Sequence, residues 1–479
     1  MKQLANFIGG SFVPAAAGET IDDVAPATGE VIAAIPRSKA ADVDAGVEAA
    51  RRAFESWRKT SVAERADLLD AIASRIAAHA EELAELESTD TGKPIKIARS
   101  VDVPRAVANF RFFAGAVRHD ETACHPMEGA LNYTLRSPLG VVGLITPWNL
   151  PIYLLSWKTA PALAMGNSVV AKPSELTPLT AHALAGIFAE AGAPSGVFNL
   201  VHGFGNEAGQ ALVDHPGVAA ISFTGGTATG ARVAASAAPR FKKLSLELGG
   251  KNPTVVFADC DFDSTVETTV RAGFLNQGQV CLCGSRVLVE RSLYDRFVDA
   301  LVERVKALRV GPPSDESSDL SSLVSRAHRD KVEGYLNLAR EEGGEILCGG
   351  TRPALGAPWD SGAFLTPAVV AGLAPSCRTA TEEIFGPVVT VHAFDSEDEA
   401  VAIANGVKYG LSASVFTRDL SRAHSVAARL ESGMVWVNTW LLRDLRVPFG
   451  GVKESGVGRE GGRYSLEFFS ESRNVCIKF

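Results

Sequence analysis

Short apolar, β-branched runs separated by helix-forming segments dominate the sequence from residue 139 onward. The runs are LGVVGLITP, NSVVAKP, FNLVHG, AAISFTGG and KKLSLELGG, and helical stretches such as LTAHALAGIFAEAGA separate most of them. Strands that alternate with helices indicate βαβ units, and apolar strands of this kind belong to parallel sheets buried on both faces. The pattern therefore predicts an α/β fold built on a parallel sheet.

Two further regions complete this organisation. Residues 41–57 and 62–86 are rich in Ala and Leu, with apolar residues three and four positions apart, and predict two amphipathic helices. A second set of strands and helices begins near KNPTVVF and continues through GPVVTVHAF and GMVWVN. A chain of 479 residues exceeds the size of a single core, so two or three domains are expected. The double glycine at 249–250 marks the candidate boundary.

Charge and cysteine usage exclude several classes of function. The formal net charge of -8 argues against a partner with a phosphate backbone, which needs concentrated Lys and Arg. No apolar run is long enough to span a bilayer, and MKQLANFIGGSFVP lacks the basic start and apolar core of a signal peptide. The 7 cysteines are odd in number and scattered, unlike a disulfide framework. These features predict a cytoplasmic protein.

The segment FLNQGQVCLC places Cys281 and Cys283 one residue apart. No second Cys or His pair follows at a zinc-like spacing, and C-x-C is not the C-x-x-C of a redox pair, so no metal site is predicted. The favoured interpretation is one nucleophilic thiol beside an inert one. A thiolate that attacks carbon needs hydrogen-bond donors for the resulting oxyanion and a base for the later step.

Motifs in one consistent order resemble those of the aldehyde dehydrogenase superfamily over essentially the whole chain. They are ITPWNLP (145–151), AKPSE (171–175), FTGGTATG (223–230), LELGGK (246–251), FLNQGQVC (274–281), EEIFGPV (382–388) and PFGGVKESGVGRE (448–460). The resemblance implies a three-part α/β architecture and a homodimer or homotetramer. Its expected parts are a Rossmann-like NAD-binding domain (1–119 and 140–248), a catalytic domain (249–460) and a small β oligomerisation arm (120–139 and 461–479).

The resemblance also implies the catalytic residues. Cys281 is the expected nucleophile, and the Asn149 amide with the Cys281 backbone N–H is the expected oxyanion site. Glu247 is the expected base that activates water against the thioester. Taken singly, each has a structural interpretation: Asn149 as a turn residue, Glu247 as a cap or ion-pair partner, and the cysteine as a small buried hydrophobe. Cys283 has no assigned role.

NAD is the cofactor that the resemblance implies. GGTATG is not the G-x-G-x-x-G of an ordinary dinucleotide turn, and Gly226 stands where many members of the family have Ser. A carboxylate at Glu175 would accept from a ribose 2′-hydroxyl and repel a 2′-phosphate, which favours NAD over NADP, although Glu175 also suits the start of a helix. The expected cofactor-binding residues are Thr146, Trp148, Lys172, Glu175, Gly225, Gly226, Gly230, Glu383 and Phe385.

Two stretches bear on the substrate. VDVPRAVANFRFF (101–113) and NTWLLRDLRVPFGG (438–451) resemble the subgroup that oxidises 2-aminomuconate and 2-hydroxymuconate semialdehydes. These substrates carry a carboxylate remote from the aldehyde, and guanidinium groups bind carboxylates bidentately. Arg105 and Arg443 are the expected carboxylate ligands, with Arg446 as a third candidate. The expected apolar walls of the substrate tunnel are Leu150, Trp157 and Trp440.

Alternatives to this function stay open at the level of sequence. Arg105 also suits a solvated helix face, and Arg443 could pair with Asp444. A broad-specificity aldehyde dehydrogenase for uncharged aliphatic or retinal-like aldehydes is the main alternative. A CoA-acylating enzyme is disfavoured because Glu247 is present, and a catalytically inactive structural protein is disfavoured because the whole catalytic set is present.

Overall fold

The computed structural model describes residues 2–479 as a mixed α/β molecule. The strands are β1 (Lys2–Gln3), β2 (Asn6–Ile8), β3 (Ser11–Val13), β4 (Thr20–Val24), β5 (Val31–Pro36), β6 (Cys124–Met127), β7 (Ala130–Pro138), β8 (Val141–Ile145), β9 (Ser168–Lys172), β10 (Phe198–Leu200), β11 (Val218–Thr224), β12 (Lys243–Glu247), β13 (Pro253–Val256), β14 (Arg286–Glu290), β15 (Glu345–Cys348), β16 (Ala368–Ala371), β17 (Val388–Phe394), β18 (Tyr409–Gly410), β19 (Ser412–Phe416), β20 (Met434–Val437), β21 (Val452–Lys453), β22 (Gly456–Val457) and β23 (Ser470–Lys478). The helices are α1 (Ala40–Trp57), α2 (Val62–Ala78), α3 (Ala80–Thr91), α4 (Ile95–Ile97), α5 (Val103–Arg118), α6 (Pro151–Ala164), α7 (Leu179–Glu190), α8 (Gln210–Asp214), α9 (Thr227–Ala237), α10 (Phe262–Phe274), α11 (Tyr294–Lys306), α12 (Arg326–Glu341), α13 (Arg378–Thr381), α14 (Glu397–Asn405), α15 (Leu420–Arg429) and α16 (Gly462–Phe468).

The first sheet has eight strands in the order β22-β12-β11-β8-β9-β10-β2-β3. The five strands from β12 to β10 run parallel, β22 and β2 flank them in antiparallel pairing, and β3 pairs antiparallel with β2. One buried cluster, which includes Leu144, Leu155 and Phe110, covers one face, and another, which includes Val47 and Ile221, covers the other. Burial on both faces explains why these strands are largely apolar.

The second sheet has seven strands in the order β15-β16-β17-β14-β13-β19-β20, all parallel except β15. A third sheet, β23-β7-β6, is antiparallel and projects two long, largely solvent-accessible strands. Smaller sheets join β1-β5-β4 and β18-β21.

Each apolar run noted in the sequence forms a strand, and LTAHALAGIFAE forms α7. The sequence predicts one continuous helix over 62–86, and this prediction is wrong. The segment is two helices, α2 and α3, which meet at His79, whose backbone is not helical (φ -98°, ψ 19°). The His79 ring contacts Glu82 and Glu190 at 3.1 Å each, a contact with a distant helix that local periodicity does not contain.

Two segments pack outside the predicted domain ranges that contain them, and those ranges stay a prediction. Strand β22 lies within the predicted catalytic range, yet it extends the first sheet, pairing Val457 with Leu246. Helix α16 lies within the predicted arm, yet its Leu466 packs into the core formed by α2, α5 and α6. In both cases, pairing or burial with elements distant in sequence decides the location. No helix within residues 2–479 has both the length and the apolar character that a bilayer crossing requires.

Candidate active site

The candidate site lies at the carboxyl ends of the parallel strands of the first sheet. Strands β9, β8, β11 and β12 are neighbours in that order and end at Lys172, Ile145, Thr224 and Glu247. The segments that follow them carry most of the residues singled out in the sequence. In open α/β sheets this edge is where ligands bind, because the connections to the helices leave a crevice there.

The loop that carries Cys281 has an unusual backbone. After α10, Asn276, Gln277 and Gly278 take φ values of 53°, 58° and 70° in succession. Such left-handed conformations are uncommon for residues other than glycine, and they persist where surrounding contacts enforce them. A side chain at position 278 would overlap the carbonyl oxygen of Gly386, so only glycine fits there.

Asn252, which follows the LGGK motif, holds the cysteine loop in place. Its Nδ2 donates to the carbonyl oxygens of Cys281 at 2.8 Å and Cys283 at 2.9 Å, and its Oδ1 accepts from the Ser412 backbone at 3.0 Å. Cys283 is buried, whereas the side chain of Cys281 is partly accessible. The Cys281 N–H has no acceptor among residues 2–479, so it is available to a ligand.

Asn149 is fixed at both its side chain and its backbone. Its Nδ2 donates to the carbonyl oxygen of Gln279 at 2.9 Å, which ties it to the cysteine loop. Its own carbonyl oxygen accepts from Lys93 Nζ and from Asn276 Nδ2, each at 3.1 Å. The second N–H of the Asn149 amide remains free, as an oxyanion donor requires.

Lys93 belongs to a buried charge cluster beneath Asn149. Its Nζ lies 3.0 Å from Asp102 Oδ2 and 3.6 Å from Glu87 Oε1, and all three side chains are at most 1% exposed. Burial raises the pKa of Glu87 to about 7, and the Lys93 charge opposes that shift. Thr180 Oγ1 donates to the other oxygen of Glu87 at 2.7 Å.

Glu247 is a buried carboxyl group without hydrogen-bond partners. Neither of its oxygens is bonded within residues 2–479. Burial, and then the nearby charge of Glu460, raise the pKa of Glu247 well above its usual 4.5. Glu460 is itself paired with buried Lys158, at 2.6 Å between Oε1 and Nζ. A carboxylate with a raised pKa is a stronger base towards a water molecule, which is the property that the proposed role needs.

The surroundings of Cys281 disfavour the thiolate form of its side chain. Burial first, and then the charges of Glu247, Glu383 and the neighbouring Cys283, raise its pKa above the usual 9.0, while Arg443 lowers it. Burial raises the pKa of Cys283 to about 12. The Cys281 sulfur therefore has to lose its proton before it attacks, and the positive charge nearby favours that loss.

The residues predicted to bind the adenosine end lie together. Lys172 Nζ donates to Glu175 Oε2 at 3.0 Å, and the Thr146 N–H donates to the Lys172 carbonyl oxygen at 3.2 Å. Lys172 is buried, whereas Glu175 is partly exposed. The arrangement leaves the other carboxylate oxygen of Glu175 without a protein donor, as the predicted acceptor of a ribose hydroxyl requires.

The FTGGTATG segment forms the turn from β11 into α9, which begins at Thr227 after Gly226. A side chain at Gly230 would overlap Leu248, so glycine permits α9 to pack closely on β12. A side chain at Gly226 would meet nothing within 4 Å. The free N–H groups at the start of an 11-residue helix and the buried, unpartnered Oγ1 of Thr224 fit an anionic group such as a pyrophosphate.

The second sheet contributes Glu383 and Phe385 to the same crevice. Glu383 Oε1 accepts from the Gly250 N–H at 2.8 Å. Phe385 has a φ of 60°, and its ring meets Trp148 edge-on, with 5.3 Å between centroids. His328 holds this loop through a 2.7 Å contact from Nε2 to the Phe385 carbonyl oxygen. The structure thus brings residues of both sheets together at one crevice.

Arg443 lies between two aromatic rings. Its guanidinium carbon is 4.5 Å from the centroid of Trp157 and 4.0 Å from that of Phe449. Its Nη1 donates to the Tyr153 hydroxyl at 3.1 Å, while Nε and Nη2 are buried without partners. The alternative pairing with Asp444 does not occur, because both oxygens of Asp444 bind Arg446.

The other two arginines differ from Arg443. The guanidinium carbon of Arg105 lies 5.2 Å from the centroid of the Tyr153 ring, and Arg105 has no ion pair within residues 2–479. The side chain of Arg446 is 80% exposed and engaged by Asp444. Arg105 and Arg443 thus meet at one tyrosine, whereas Arg446 lies in a separate surface pair.

The three predicted wall residues are buried. Leu150 precedes α6, Trp157 lies within it, and Trp440 donates its indole N–H to the Leu282 carbonyl oxygen at 2.9 Å. Trp440 packs in the same cluster as Cys281 and Cys283.

Several residues of the site were not identified from the sequence. They are polar residues whose sequence neighbours gave no sign of their contacts: Lys93, Asp102, Tyr153, Lys158, Asn252 and Glu460. The only available signals were that Glu460 falls in a motif and that Lys158 and Tyr153 interrupt an apolar helix.

The chain belongs to the aldehyde dehydrogenase family: the sequence profile described as "Aldehyde dehydrogenase family" matches residues 12–475. This confirms the predicted enzyme class and fold class. Among individual relatives, 2-aminomuconic semialdehyde dehydrogenase of Danio rerio is 50% identical over 479 residues, covering 99% of this chain and 98% of the relative. The 2-hydroxymuconic semialdehyde dehydrogenase of Pseudomonas sp. (strain CF600) is 48% identical over 485 residues, covering 100% of both.

Solved structures agree with this assignment. HpcC from Thermus thermophilus superimposes with a TM-score of 0.97 at 44% identity, covering 100% of this chain and 93% of the other. Betaine aldehyde dehydrogenase from Staphylococcus aureus, in complex with NAD+, gives a TM-score of 0.96 at 39% identity, covering 98% and 94%. The predicted three-part architecture therefore matches known members of the family.

Proposed function

We propose that this enzyme oxidises a carboxylated semialdehyde, of the 2-aminomuconate or 2-hydroxymuconate type, to the dicarboxylic acid with NAD. The observation that carries the proposal is the environment of Arg443: its guanidinium lies between two rings, two of its buried N–H groups have no partner, and no carboxylate of residues 2–479 forms an ion pair with it. The two relatives named above, at 50% and 48% identity, act on these semialdehydes according to their names.

The chemistry of Arg443 selects a carboxylate. A buried donor without an acceptor costs free energy, and a charged donor costs more, so such a group favours a ligand that satisfies it. Two adjacent N–H groups on one planar guanidinium match the two oxygens of a carboxylate. The positive charge of Arg443 lowers the pKa of both Cys281 and Glu247, which supports its assignment to the substrate site.

The chain's own residues support NAD as the cofactor. The start of α9 with Thr224 suits the pyrophosphate, Glu175 the adenosine ribose and Glu383 the nicotinamide ribose. When bound, NAD supplies the acceptor for the hydride that leaves the aldehyde carbon.

The proposed steps on the protein side follow from the geometry. The Cys281 sulfur, once deprotonated, forms a bond to the aldehyde carbon, and the carbonyl oxygen becomes an oxyanion. The free N–H of Asn149 and the backbone N–H of Cys281 stabilise that charge. After oxidation, the thioester carbon is attacked by water as Glu247 takes the water proton. The C–S bond then breaks, the sulfur leaves as thiolate, and the acid departs.

We also infer a homo-oligomer in the cytoplasm. Strands β7 and β23 pair over nine residues each in a small sheet whose outer positions are mostly exposed, as expected for an arm that contacts another subunit. We also propose the division into NAD-binding, catalytic and arm regions, and the packing of β22 and α16 supports their inclusion in the first region.

The test is NADH formation by the purified enzyme with three aldehydes. These are enzymatically generated 2-aminomuconate semialdehyde, 2-hydroxymuconate semialdehyde and an uncharged aldehyde of similar length. We expect kcat/KM for the carboxylated pair to exceed that for the uncharged aldehyde by at least about tenfold, which corresponds to ~1.4 kcal/mol. Equal values would retain the aldehyde dehydrogenase chemistry and contradict the proposed substrate class.

A further inference from the structure

Tyr153 contacts both arginines expected to bind the substrate. Its hydroxyl accepts from Arg443 Nη1 at 3.1 Å, and its ring faces the Arg105 guanidinium, 5.2 Å from ring centroid to guanidinium carbon. The side chain is 9% exposed and projects from the first turn of α6, four residues after Asn149. Tyr153 therefore joins the two cations to the helix that follows the oxyanion residue.

The backbone of Tyr153 is fixed by the packing of α5 on α6. Its carbonyl oxygen accepts from Asn109 Nδ2 at 3.2 Å and from Ser156 Oγ at 2.8 Å. Asn109 is one turn from Arg105 on α5. The same contact between two helices thus sets the position of the tyrosine and of the arginine above its ring.

The O–H group of Tyr153 is still free to donate a hydrogen bond. A phenol has one O–H donor and two acceptor lone pairs, and the bond from Arg443 occupies a lone pair. No acceptor for the Tyr153 proton is present within residues 2–479. The unpartnered donors near this point are thus the Tyr153 O–H and the Nε and Nη2 groups of Arg443, and each of them can donate to a carboxylate oxygen.

A neutral partner also preserves the charge of Arg443. An aspartate or glutamate at position 153 would hold the guanidinium equally well but would neutralise it and compete with an anionic ligand. The neighbouring acidic residue, Asp444, is already bound by Arg446. The hydroxyl of Tyr153 orients Arg443 without satisfying its charge, which leaves the attraction for a carboxylate intact.

We propose that Tyr153 is a specificity-determining residue that orients Arg443 and supports Arg105 through its ring. Its hydroxyl also donates a hydrogen bond to the remote carboxylate of the substrate. The inference rests on the proposed function, since it assumes that the substrate carries that carboxylate. It adds a neutral hydrogen-bond donor to a subsite otherwise built from two guanidinium groups.

The test compares the wild type, Tyr153→Phe and Tyr294→Phe in the full-length enzyme. Tyr294 begins α11, away from the crevice, so its substitution is a matched loss of one phenolic oxygen. We expect Tyr153→Phe to raise KM for 2-hydroxymuconate semialdehyde about 5- to 30-fold, as loss of a hydrogen bond to a charged group predicts, with kcat within about threefold. KM for an uncharged aldehyde of similar length should change less than about twofold in either variant.

A second readout does not depend on turnover. cis,cis-Muconate, a dicarboxylate of the same length, should compete with the semialdehyde, and its inhibition constant should rise in Tyr153→Phe by the same factor as KM. An unchanged inhibition constant and KM would overturn the role of Tyr153. An equal loss for charged and uncharged aldehydes would also overturn it, because that result indicates a structural role.

The wild type and the variant together distinguish a wrong substrate class from a wrong role for Tyr153. If the wild type itself shows no preference for the carboxylated aldehyde, the substrate class is wrong whatever the variant does. If the wild type shows the preference and Tyr153→Phe retains it fully, the substrate class stands and the tyrosine is only a wall of the tunnel.

Discussion

Lys93 donates a hydrogen bond from its buried ammonium group to the backbone carbonyl of Asn149, with 3.1 Å between Nζ and O. The lysine is neutralised by Asp102 on the same side, at 3.0 Å. This pair joins the end of α3 to the segment that carries Asn149, the proposed oxyanion donor. The position of Asn149 is therefore coupled to a buried charge cluster.

Replacing both members of that pair should loosen Asn149. We expect the double variant Lys93→Met/Asp102→Asn to lower kcat by roughly 10- to 100-fold, less than the ~10²–10³ expected for Asn149→Ala, which removes the donor itself. The rate of Cys281 alkylation by iodoacetamide should not change, because that displacement forms no oxyanion. Steady-state kinetics and alkylation rates measure the two effects. A kcat within twofold of the wild type would refute the positioning role.

The single variant Lys93→Met tests the buried charges separately. It leaves Asp102 and Glu87 without their cation, and breaking a buried pair from one side typically destabilises a protein by about 3–5 kcal/mol. We expect a lower unfolding temperature than that of the double variant, measured by calorimetry. The reverse order would show that Lys93 contributes little to stability.

The Cys281 thiol should become more reactive as pH rises. Its pKa is raised by burial and by Glu247, so the thiolate population increases through the alkaline range. Glu247→Gln removes the negative charge and should move the pH midpoint of Cys281 alkylation to lower pH, although it blocks thioester hydrolysis. Mass spectrometry of the alkylated peptide in a Cys283→Ser background measures this. An unmoved midpoint would show that Glu247 has no electrostatic influence on the thiol.

Glu247 should also lower the stability of the folded protein, by an amount that depends on pH. Its pKa is raised above 4.5 in the folded protein, so the unfolded chain releases the proton first and stability falls as pH rises above that value. We therefore expect Glu247→Gln to raise the unfolding temperature by a margin that is small near pH 4.5 and grows towards pH 8. A margin that is constant with pH, or that shrinks, would contradict the assignment.

Two glycines of the turn before α9 should respond in opposite ways. A side chain at Gly230 overlaps Leu248, so Gly230→Ala should displace α9 and weaken NAD binding by about tenfold. The space around Gly226 is open, so Gly226→Ser should be accommodated and, by adding a hydroxyl at a helix start, should bind NAD at least as tightly. Titration of intrinsic fluorescence with NAD compares both with the wild type. Weaker binding by Gly226→Ser would disprove this account of the turn.

The sequence was informative wherever local pattern decides structure. Strand β8 is VVGLI and β9 is SVVAK, buried on both faces, and each was recognisable from composition alone. The proposed catalytic residues come from the resemblance, since they fall within its motifs. The break at His79 was not predicted, because the helical pattern continues through it, and the contact of His79 with the distant Glu190 is not visible in local sequence.

The residues that surround the proposed catalytic groups could not be predicted from the sequence, for a similar reason. In the sequence Lys93 and Asp102 resemble ordinary solvated charged residues, and only the fold buries them against each other. Tyr153 occupies an apolar stretch in which a tyrosine is normally a core residue. Its hydroxyl acquires a role because Arg443, far along the chain, lies beside it.

We propose that Arg443 selects a carboxylated semialdehyde. The substrate preference of Arg443→Ala, measured beside that of Arg446→Ala, tests this role directly. We expect Arg443→Ala to lower kcat/KM for the carboxylated semialdehyde roughly 10- to 100-fold while kcat/KM for an uncharged aldehyde changes little. Arg446→Ala should retain the wild-type preference, because Asp444 already binds Arg446 at the surface. An unchanged preference in Arg443→Ala would contradict the claim.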